Sequence, residues 1–301
     1  MEKLVKKVIK LDLEDIETYE FPLDELFGLE IIHEGIKFCL IINFSSNNKN
    51  LICCGPGAFA RNSRTSQGVL IEPPFFNRWS WFKYFDESFI TYADPVFFYD
   101  DEITIGWFVG DKNQWYLNTV AEIIEKLASN QKIFNENILF YGSSGGGFVS
   151  IGLGTLIKDS KVLVNNSQFT ILNYYNTHIN NLFRVLQKDF PDLSQEEIAD
   201  IVDYRINTID LFKKENYIPP ITYYVNTESA PDLERHCIPF INDIKELDIF
   251  KDQLEIHFYK EVKDKPHGPL PNEVSIELIK TFAKDNLYNG NEDNSFFKRF
   301  K

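Results

Sequence analysis

Short apolar runs alternate with amphipathic stretches along most of the chain, a pattern typical of parallel strands joined by helices. Two runs near the start meet at Glu34-Gly35, a turn-forming pair, and so predict an antiparallel hairpin. The runs that predict strands are residues 5–13, 29–33, 36–44, 89–93, 137–141, 162–166, 220–226 and 254–259. We therefore predict an α/β fold with a mostly parallel central sheet and antiparallel N-terminal strands.

The run at residues 137–141 ends in a G-x-S-x-G pattern and continues into a glycine-rich stretch that predicts a helix. A serine is a useful nucleophile only when its hydroxyl stands clear of its neighbours, beside a base and near backbone N–H groups. A sharp strand-to-helix turn meets these conditions, and Gly142 and Gly146 let the backbone cross itself closely. The pattern predicts a nucleophile elbow with Ser144 as the nucleophile.

Two alternatives compete with this interpretation. Ser143 would need a glycine two positions earlier, where Tyr141 stands. The segment could also be an ordinary strand-to-helix turn or a phosphate-binding turn, since G-x-S-x-G occurs by chance in many chains. The sequence has no G-x-x-x-x-G-K pattern, and no G-x-G-x-x-G follows a predicted strand, so nucleotide binding at this turn is disfavoured.

The base of a serine triad on this fold follows the last strand and precedes the last helix. Among the five histidines, His267 has this position, because it lies between the predicted strand at 254–259 and a predicted helix at 272–282. His267 is the predicted base, and a solvent-exposed loop histidine is the alternative. His257 falls within a strand and His236 within a helical stretch, so we expect both to be structural.

The acid of the triad should follow the penultimate strand, predicted at 220–226. Glu228 and Asp232 both lie just beyond it. Glu228 is preferred because it is nearer the strand's carboxyl end, whereas Asp232 lies at the predicted start of the next helix and could cap that helix. Each could instead be a solvated loop carboxylate.

An oxyanion hole needs two N–H groups aimed at the reacting carbonyl oxygen. The N–H of Gly145 follows the nucleophile at the start of the predicted helix, where partial positive charge collects. The second donor is expected in the loop after the strand at 36–44, which places Ser45 in the oxyanion hole.

The segment at about 171–215 departs from the alternation of strands and helices. It has helical periodicity, and Ser194 and Glu197 have the spacing of a capping box. Because it falls where α/β-hydrolases insert lids, we predict a helical lid within a single domain that spans residues 1–301. A plain helical hairpin on the sheet edge is the alternative.

Composition and charge restrict the function. A chain of 301 residues with 44% hydrophobic residues can bury a large core, and a net charge of −14 disfavours nucleic acid or an anionic membrane as a partner. No apolar run approaches the ~18 residues that span a bilayer, and no signal core follows the N-terminus, so we expect a cytoplasmic protein without an integral membrane segment. The four cysteines lack paired metal spacing, so no metal site is predicted.

Several short motifs give the chain a resemblance to a group of bacterial α/β-hydrolase-like proteins of surface-glycan synthesis. The group includes capsular polysaccharide O-acetyltransferases and the glycan-acetylating proteins of accessory Sec systems. The motifs are Arg61, Asp94-Pro95, Gly106-Trp107 with Gly110, residues 141–148, Asn226, His236 and Pro239-Phe240. The resemblance implies an acyl-serine intermediate whose acyl group passes to a glycan hydroxyl, with acetyl-CoA as a possible acyl donor and no bound cofactor.

Two classes of function follow from these predictions. The first is an enzyme, either a glycan O-acyltransferase or an esterase of carbohydrate or small esters, since a triad serves both. Its acyl acceptor would be a glycan or another small molecule. The second is a non-catalytic scaffold in glycan assembly, against which the presence of both Ser144 and His267 argues.

Overall fold

A computed structural model of the protein describes residues 1–65, 67–261 and 266–284. Part of the predicted loop before His267, and the end of the predicted domain, lie outside these ranges. The described residues form one nine-stranded sheet in the order β1-β2-β3-β5-β4-β6-β7-β8-β9. The strands are β1 Val8–Leu11, β2 Leu26–His33, β3 Ile36–Asn43, β4 Leu51–Cys54, β5 Ser88–Ala93, β6 Ile138–Ser144, β7 Lys161–Ser167, β8 Ile221–Asn226 and β9 Leu254–Tyr259.

Strand direction confirms the predicted fold class. The strands β2 and β3 pair as an antiparallel hairpin, and β3 is also antiparallel to β5. Every other neighbouring pair is parallel, so β3 alone among the described strands runs against the rest. This is the mostly parallel sheet with antiparallel N-terminal strands of an α/β-hydrolase.

Helices flank the sheet. They are α1 Tyr116–Asn130, α2 Gly145–Leu156, α3 Asn176–Leu186, α4 Gln195–Ile201, α5 Asp203–Ile206, α6 Thr208–Glu215, α7 Ile238–Ile244 and α8 Asn272–Lys284, with a π-helical segment at Pro231–Cys237 and 3₁₀ turns at Leu13–Asp15, Trp79–Tyr84, Pro95–Phe98, Asn135–Asn137 and Ile171–Asn173. No helix in the described part of the chain is long and apolar enough to span a bilayer.

The central strands are buried on both faces because side chains alternate between two apolar layers. On β6, Phe140 belongs to the larger core, which includes residues of α1 and α2, whereas Leu139 and Tyr141 belong to a second core beneath α8. Ile276 and Ile279 of α8 complete that second layer. The sheet therefore holds its strand ends in fixed positions, which is what a site at one edge requires.

The sequence-based prediction missed β4. No strand is predicted at residues 51–54, although all four are buried and pair with β5 and β6. The strand is short and apolar on both faces, so it shows neither the alternation nor the length that identifies a strand. This omission also misplaced the oxyanion loop, as described below.

Four helices, α3 to α6, stand between β7 and β8 where the lid is predicted. The predicted capping box is confirmed: the Glu197 N–H donates to Ser194 Oγ at 3.2 Å, and the Ser194 N–H donates to Glu197 Oε2 at 2.7 Å. Arg184 and Lys188 bind the Asp100 carboxylate at 2.8 and 3.0 Å, and hold the pKa of Asp100 well below its usual range. The segment is thus tied to the loop that precedes α1, and its function as a lid stays a prediction.

Candidate active site

The strand β6 turns into α2 at Ser144, whose backbone has a φ of 53° and a ψ of −129°. A residue with a side chain rarely adopts this conformation, and such strain persists at sites where the surrounding structure enforces it. The β6 to β7 register also shifts between Ser143 and Ser144. The backbone at Ser144 therefore has the strained geometry of a nucleophile elbow.

Close packing explains the glycines around Ser144. A Cβ atom on Gly142 would overlap the backbone of Gly146, and one on Gly145 would overlap the Ile105 side chain. The strand and helix can therefore meet this tightly only with hydrogen in place of a side chain.

Three side chains form a continuous hydrogen-bonded chain. Ser144 Oγ lies 2.8 Å from His267 Nε2, and His267 Nδ1 lies 2.6 Å from Asp232 Oδ1. A carboxylate accepts only, so it assigns the proton to Nδ1 and leaves Nε2 free to accept from the serine hydroxyl. Asp232 is fully buried, while the His267 side chain is 26% exposed. The arrangement has the connectivity of a serine triad.

The structure brings Asp232, and not the preferred Glu228, to His267. The Glu228 carboxylate pairs with Lys260 at 3.0 Å on the surface, whereas Asp232 contacts His267. Asp232 makes no capping hydrogen bond, because the π-helical segment begins at Pro231 with Ala230 as its N-cap residue. Such π-helical turns are frequent at functional sites, and Asp232 lies within this one with its side chain buried. The residue nearer to the strand in the sequence is therefore not the one whose side chain contacts His267.

Asparagines at the ends of β7 and β8 hold the loop that carries His267. Asn226 Nδ2 donates to the carbonyl of Pro266 at 3.2 Å, and Asn166 Nδ2 donates to the carbonyl of Gly268 at 3.0 Å. Both neighbours of His267 are thus fixed to the sheet. Asn226 is among the motifs of the resemblance, but no role was predicted for either asparagine, although asparagines at the ends of two buried strands are a usable signal.

The structure places Ser45, which was predicted to contribute to the oxyanion hole, away from Ser144. The Ser45 N–H donates to Ser88 Oγ at 3.0 Å, and Ser88 is the first residue of β5. Ser144 is the last residue of β6, so the two serines lie at opposite edges of the sheet, separated by roughly 20 Å of strand. The loop at the correct edge follows β4, where the Gly55 N–H donates to the carbonyl of Tyr141 at 2.9 Å. Gly145 begins α2 directly after Ser144, as predicted.

The neighbouring serine has a different environment. Ser143 Oγ accepts from Arg78 Nη2 at 2.6 Å, and Arg78 Nη1 donates to the Gly55 carbonyl at 3.3 Å. The guanidinium lies over the rings of Trp81 and Tyr141. Ser143 therefore helps to join the loop after β4 to the elbow, and its hydroxyl does not face His267.

Two further side chains reach Ser144. Gln168 Nε2 lies 3.3 Å from Ser144 Oγ. Burial raises the pKa of Tyr174, and its interaction with the Ser144 side chain opposes that rise. The Tyr174 ring lies 6.0 Å from the His267 ring and belongs to the segment between β7 and β8. Neither residue was identified from the sequence.

Of the five histidines, only His267 contacts Ser144. His257 Nε2 pairs with Glu255 at 2.8 Å, and His178 Nδ1 lies 3.0 Å from Thr104 Oγ1. His236 is 2% exposed, and burial lowers its pKa to about 4 although Asp232 opposes the shift. A histidine of that pKa is neutral near pH 7, which agrees with the structural role expected for His236.

Comparison with solved structures shows what the fold is similar to. The capsule O-acetyltransferase of Neisseria meningitidis serogroup A is 14% identical, with a TM-score of 0.60 over 84% of this chain and 96% of that one. A glycosylation-associated protein complex of Streptococcus agalactiae is 13% identical, with a TM-score of 0.53 over 85% of this chain and 45% of that one. FphF, a fluorophosphonate-binding serine hydrolase of Staphylococcus aureus, is 12% identical, with a TM-score of 0.51 over 88% of this chain and all of that one.

No protein-family model matches the chain, and no curated protein matches it in sequence. At these identities the structural similarities establish the α/β-hydrolase fold. They agree with the resemblance stated from the sequence motifs.

Proposed function

We propose that this protein is a serine acyltransferase that acetylates a glycan hydroxyl through an acyl-serine intermediate. The observation that carries the proposal is the continuous chain of Ser144, His267 and Asp232 behind a strained elbow. Fold similarity to a capsule O-acetyltransferase supports a glycan as the acceptor. A crystal structure of a variant of that enzyme in complex with CoA supports acetyl-CoA as the donor substrate.

In the first half of the reaction, Ser144 Oγ attacks the carbonyl carbon of the thioester and His267 Nε2 takes the serine proton. The N–H of Gly145 and an N–H of the loop after β4 stabilise the oxyanion. The C–S bond then breaks, and CoA leaves as the thiol with the proton from His267. Asp232 keeps His267 in the required tautomer and stabilises its cationic form.

In the second half, a sugar hydroxyl gives its proton to His267 and attacks the acyl-serine carbonyl carbon. The bond between that carbon and Ser144 Oγ breaks, and His267 returns the proton to Ser144. Water in place of the sugar would give an esterase with the same residues. Tyr174 covers Ser144 and His267 from the segment between β7 and β8, a position from which it could limit water access.

The test supplies p-nitrophenyl acetate as donor, with and without soluble oligosaccharides as acceptors. We expect an initial burst of p-nitrophenolate, acetylated sugar exceeding free acetate, and loss of both in Ser144→Ala by roughly 10³-fold or more. Release of all acetyl groups as acetate, whatever sugar is added, would identify an esterase. Equal activity in Ser144→Ala would end the serine-enzyme proposal.

A further inference from the structure

Gln168 makes two contacts with the nucleophile residue. It follows β7 directly and is fully buried. Its backbone N–H donates to the Ser144 carbonyl at 3.2 Å, and its Nε2 lies 3.3 Å from Ser144 Oγ. A buried glutamine held to Ser144 by both backbone and side chain has little freedom to turn away.

The orientation of the Gln168 amide follows from its other partner. Trp107 Nε1 lies 2.6 Å from Gln168 Oε1. An indole N–H can only donate, so the amide oxygen must face Trp107 and the NH₂ group must face Ser144. Gln168 therefore donates a hydrogen bond to Ser144 Oγ, while Ser144 Oγ donates its own proton towards His267 Nε2.

Trp107 is itself held in a strained loop. Trp107 and Phe108 have φ values of 51° and 56°, which residues with side chains rarely adopt. The Phe108 N–H donates to Asp94 Oδ2 at 2.9 Å, and the Val96 N–H donates to Asp94 Oδ1 at 3.1 Å. Asp94 is 2% exposed, and burial raises its pKa to about 6. Backbone strain of this kind is retained where it positions a functional group.

We infer that Gln168 is a further catalytic residue, which stabilises Ser144 Oγ as the leaving group when the acyl-serine breaks down, and that Trp107 and Asp94 are its positioning residues. The inference rests on the proposed function. It also gives a role to the Asp94-Pro95 and Gly106-Trp107 motifs, which the triad leaves unused.

The hydrogen bond from Gln168 favours the second half-reaction because negative charge develops on Ser144 Oγ in that half. When the bond from the acyl carbon to Ser144 Oγ breaks, the electron pair goes to Oγ, which takes the proton from His267. A donor on Oγ stabilises this developing charge, and Gln168 keeps its own proton. In the first half the same donor draws electron density from the attacking oxygen, so it gives no comparable advantage there.

The test compares Gln168→Met with Gln114→Met in p-nitrophenyl acetate turnover. Gln114 is also buried, but its Nε2 donates to Thr119 Oγ1, away from the elbow. Loss of one hydrogen bond in Gln168→Met should slow the steady state about 10-fold and the burst less than ~3-fold. The acetyl-enzyme, followed by intact mass after the donor is exhausted, should persist about 10-fold longer in Gln168→Met than in the unmodified protein or in Gln114→Met. An unchanged steady state, or equal slowing of both phases, would overturn the inference.

A double-mutant cycle tests the positioning by Trp107. Trp107→Phe removes the indole N–H and should slow the steady state in the same way, but should add no further loss in the Gln168→Met background. Additive losses would show that Trp107 acts independently of Gln168. If Gln168→Met proves unstable in thermal melts, Gln168→Leu also removes the donor without adding a charge and carries the same expectation.

Ser144→Ala separates this inference from the proposed function. If that variant keeps its burst, the proposed function fails whatever Gln168 does. If Ser144→Ala is inactive and Gln168→Met behaves as the unmodified protein, only the role of Gln168 fails.

Discussion

The two edges of the parallel sheet differ: the larger cavity lies at the N-terminal ends of the strands, and the hydrogen-bonded candidate site lies at their C-terminal ends. At the N-terminal edge, a cleft of about 580 Å³ opens between Ser45, Asp24 and Phe82. At the C-terminal edge, the cavity beside His267 and Asp232 measures only about 10 Å³, because Tyr174 and its neighbours cover it. Among the described residues, no histidine lines the larger space, whereas the smaller one adjoins the hydrogen-bonded chain of Ser144, His267 and Asp232.

The polar groups at each edge account for this difference. Near the cleft, Ser45 Oγ accepts from the N–H groups of Asn47 and Asn48, an ordinary local turn. Beside Ser144, buried polar side chains bind one another across distant parts of the chain, as Trp107 and Gln168 do over 61 residues. A buried polar network is costly unless it is satisfied, so its concentration at one edge marks the site better than volume does.

The largest effect is expected at the acid. Asp232→Asn keeps the packing but removes the charge that stabilises the protonated His267, so turnover should fall by up to ~10⁴-fold. Glu228→Gln should leave turnover nearly unchanged, because Glu228 pairs with Lys260 at the surface. Steady-state kinetics of both variants, with thermal melts, check this; an inactive Glu228→Gln beside an active Asp232→Asn would reverse the assignment.

The next effect is on folding. Gly142→Ala forces a methyl group into the Gly146 backbone and should lower the free energy of unfolding by about 3 kcal/mol or more. Gly35→Ala is the control, since Gly35 has a φ of +80° but no atom near its position, and should cost only about 1 kcal/mol of backbone strain. Denaturant unfolding measures both, and equal losses would show that the crowding at the elbow is overstated.

A pH effect of similar size should come from His236. Burial lowers the pKa of His236 from 6.5 to about 4. The Asp232 charge opposes this shift, and the charges of His267 and Arg235 add to it. The unfolded chain therefore binds the proton first, and the stabilisation present above pH 6.5 is lost as the pH falls towards 4, by roughly 3 kcal/mol in total.

The matched variant for that measurement is His236→Phe. The raised pKa of Asp94 acts with the opposite sign between 3.8 and about 6, but it is common to both proteins and cancels in the difference. The unmodified protein should therefore lose roughly 3 kcal/mol of unfolding free energy relative to His236→Phe as the pH falls from 6.5 to 4. Parallel curves would mean that His236 is not a buried neutral histidine.

The smallest effect is expected at the N-terminal edge. Ser45→Ala removes one acceptor for two backbone N–H groups and should cost about 1 kcal/mol of stability without changing turnover. Parallel measurements of unfolding and of p-nitrophenyl acetate turnover check this. A large loss of turnover with unchanged stability would bring the N-terminal cleft into the reaction.

Local signals in the sequence were sufficient for most of the fold and for two of the three residues in the hydrogen-bonded chain at the candidate site. The elbow at Ser144 is predicted by a motif of consecutive residues, and His267 is identified by its position between a strand and a helix. The sheet direction followed from alternation of apolar runs and helical stretches. These features depend on neighbours in the chain, so periodicity and spacing reveal them.

The errors came from features that the chain creates only when folded. The four residues of β4 are buried on both faces, so no alternation marked them as a strand, and the oxyanion loop was predicted at the other edge of the sheet. Asp232, which lies in a π-helical segment, contacts His267 in place of Glu228. The contact between Trp107 and Gln168 joins two loops that no local pattern connects. Contacts between distant loops can be predicted only after the register of the sheet, which sets where each loop begins, is known.

The most direct test of the central claim is the site and rate of labelling by a fluorophosphonate, in which the serine oxygen bonds to phosphorus and fluoride leaves. We expect one adduct, located on Ser144 by peptide mass spectrometry, forming at the same rate in Glu228→Gln and far more slowly in His267→Ala and Asp232→Asn. An adduct on Ser143, or labelling of Ser144 at one rate in all four proteins, would contradict the account.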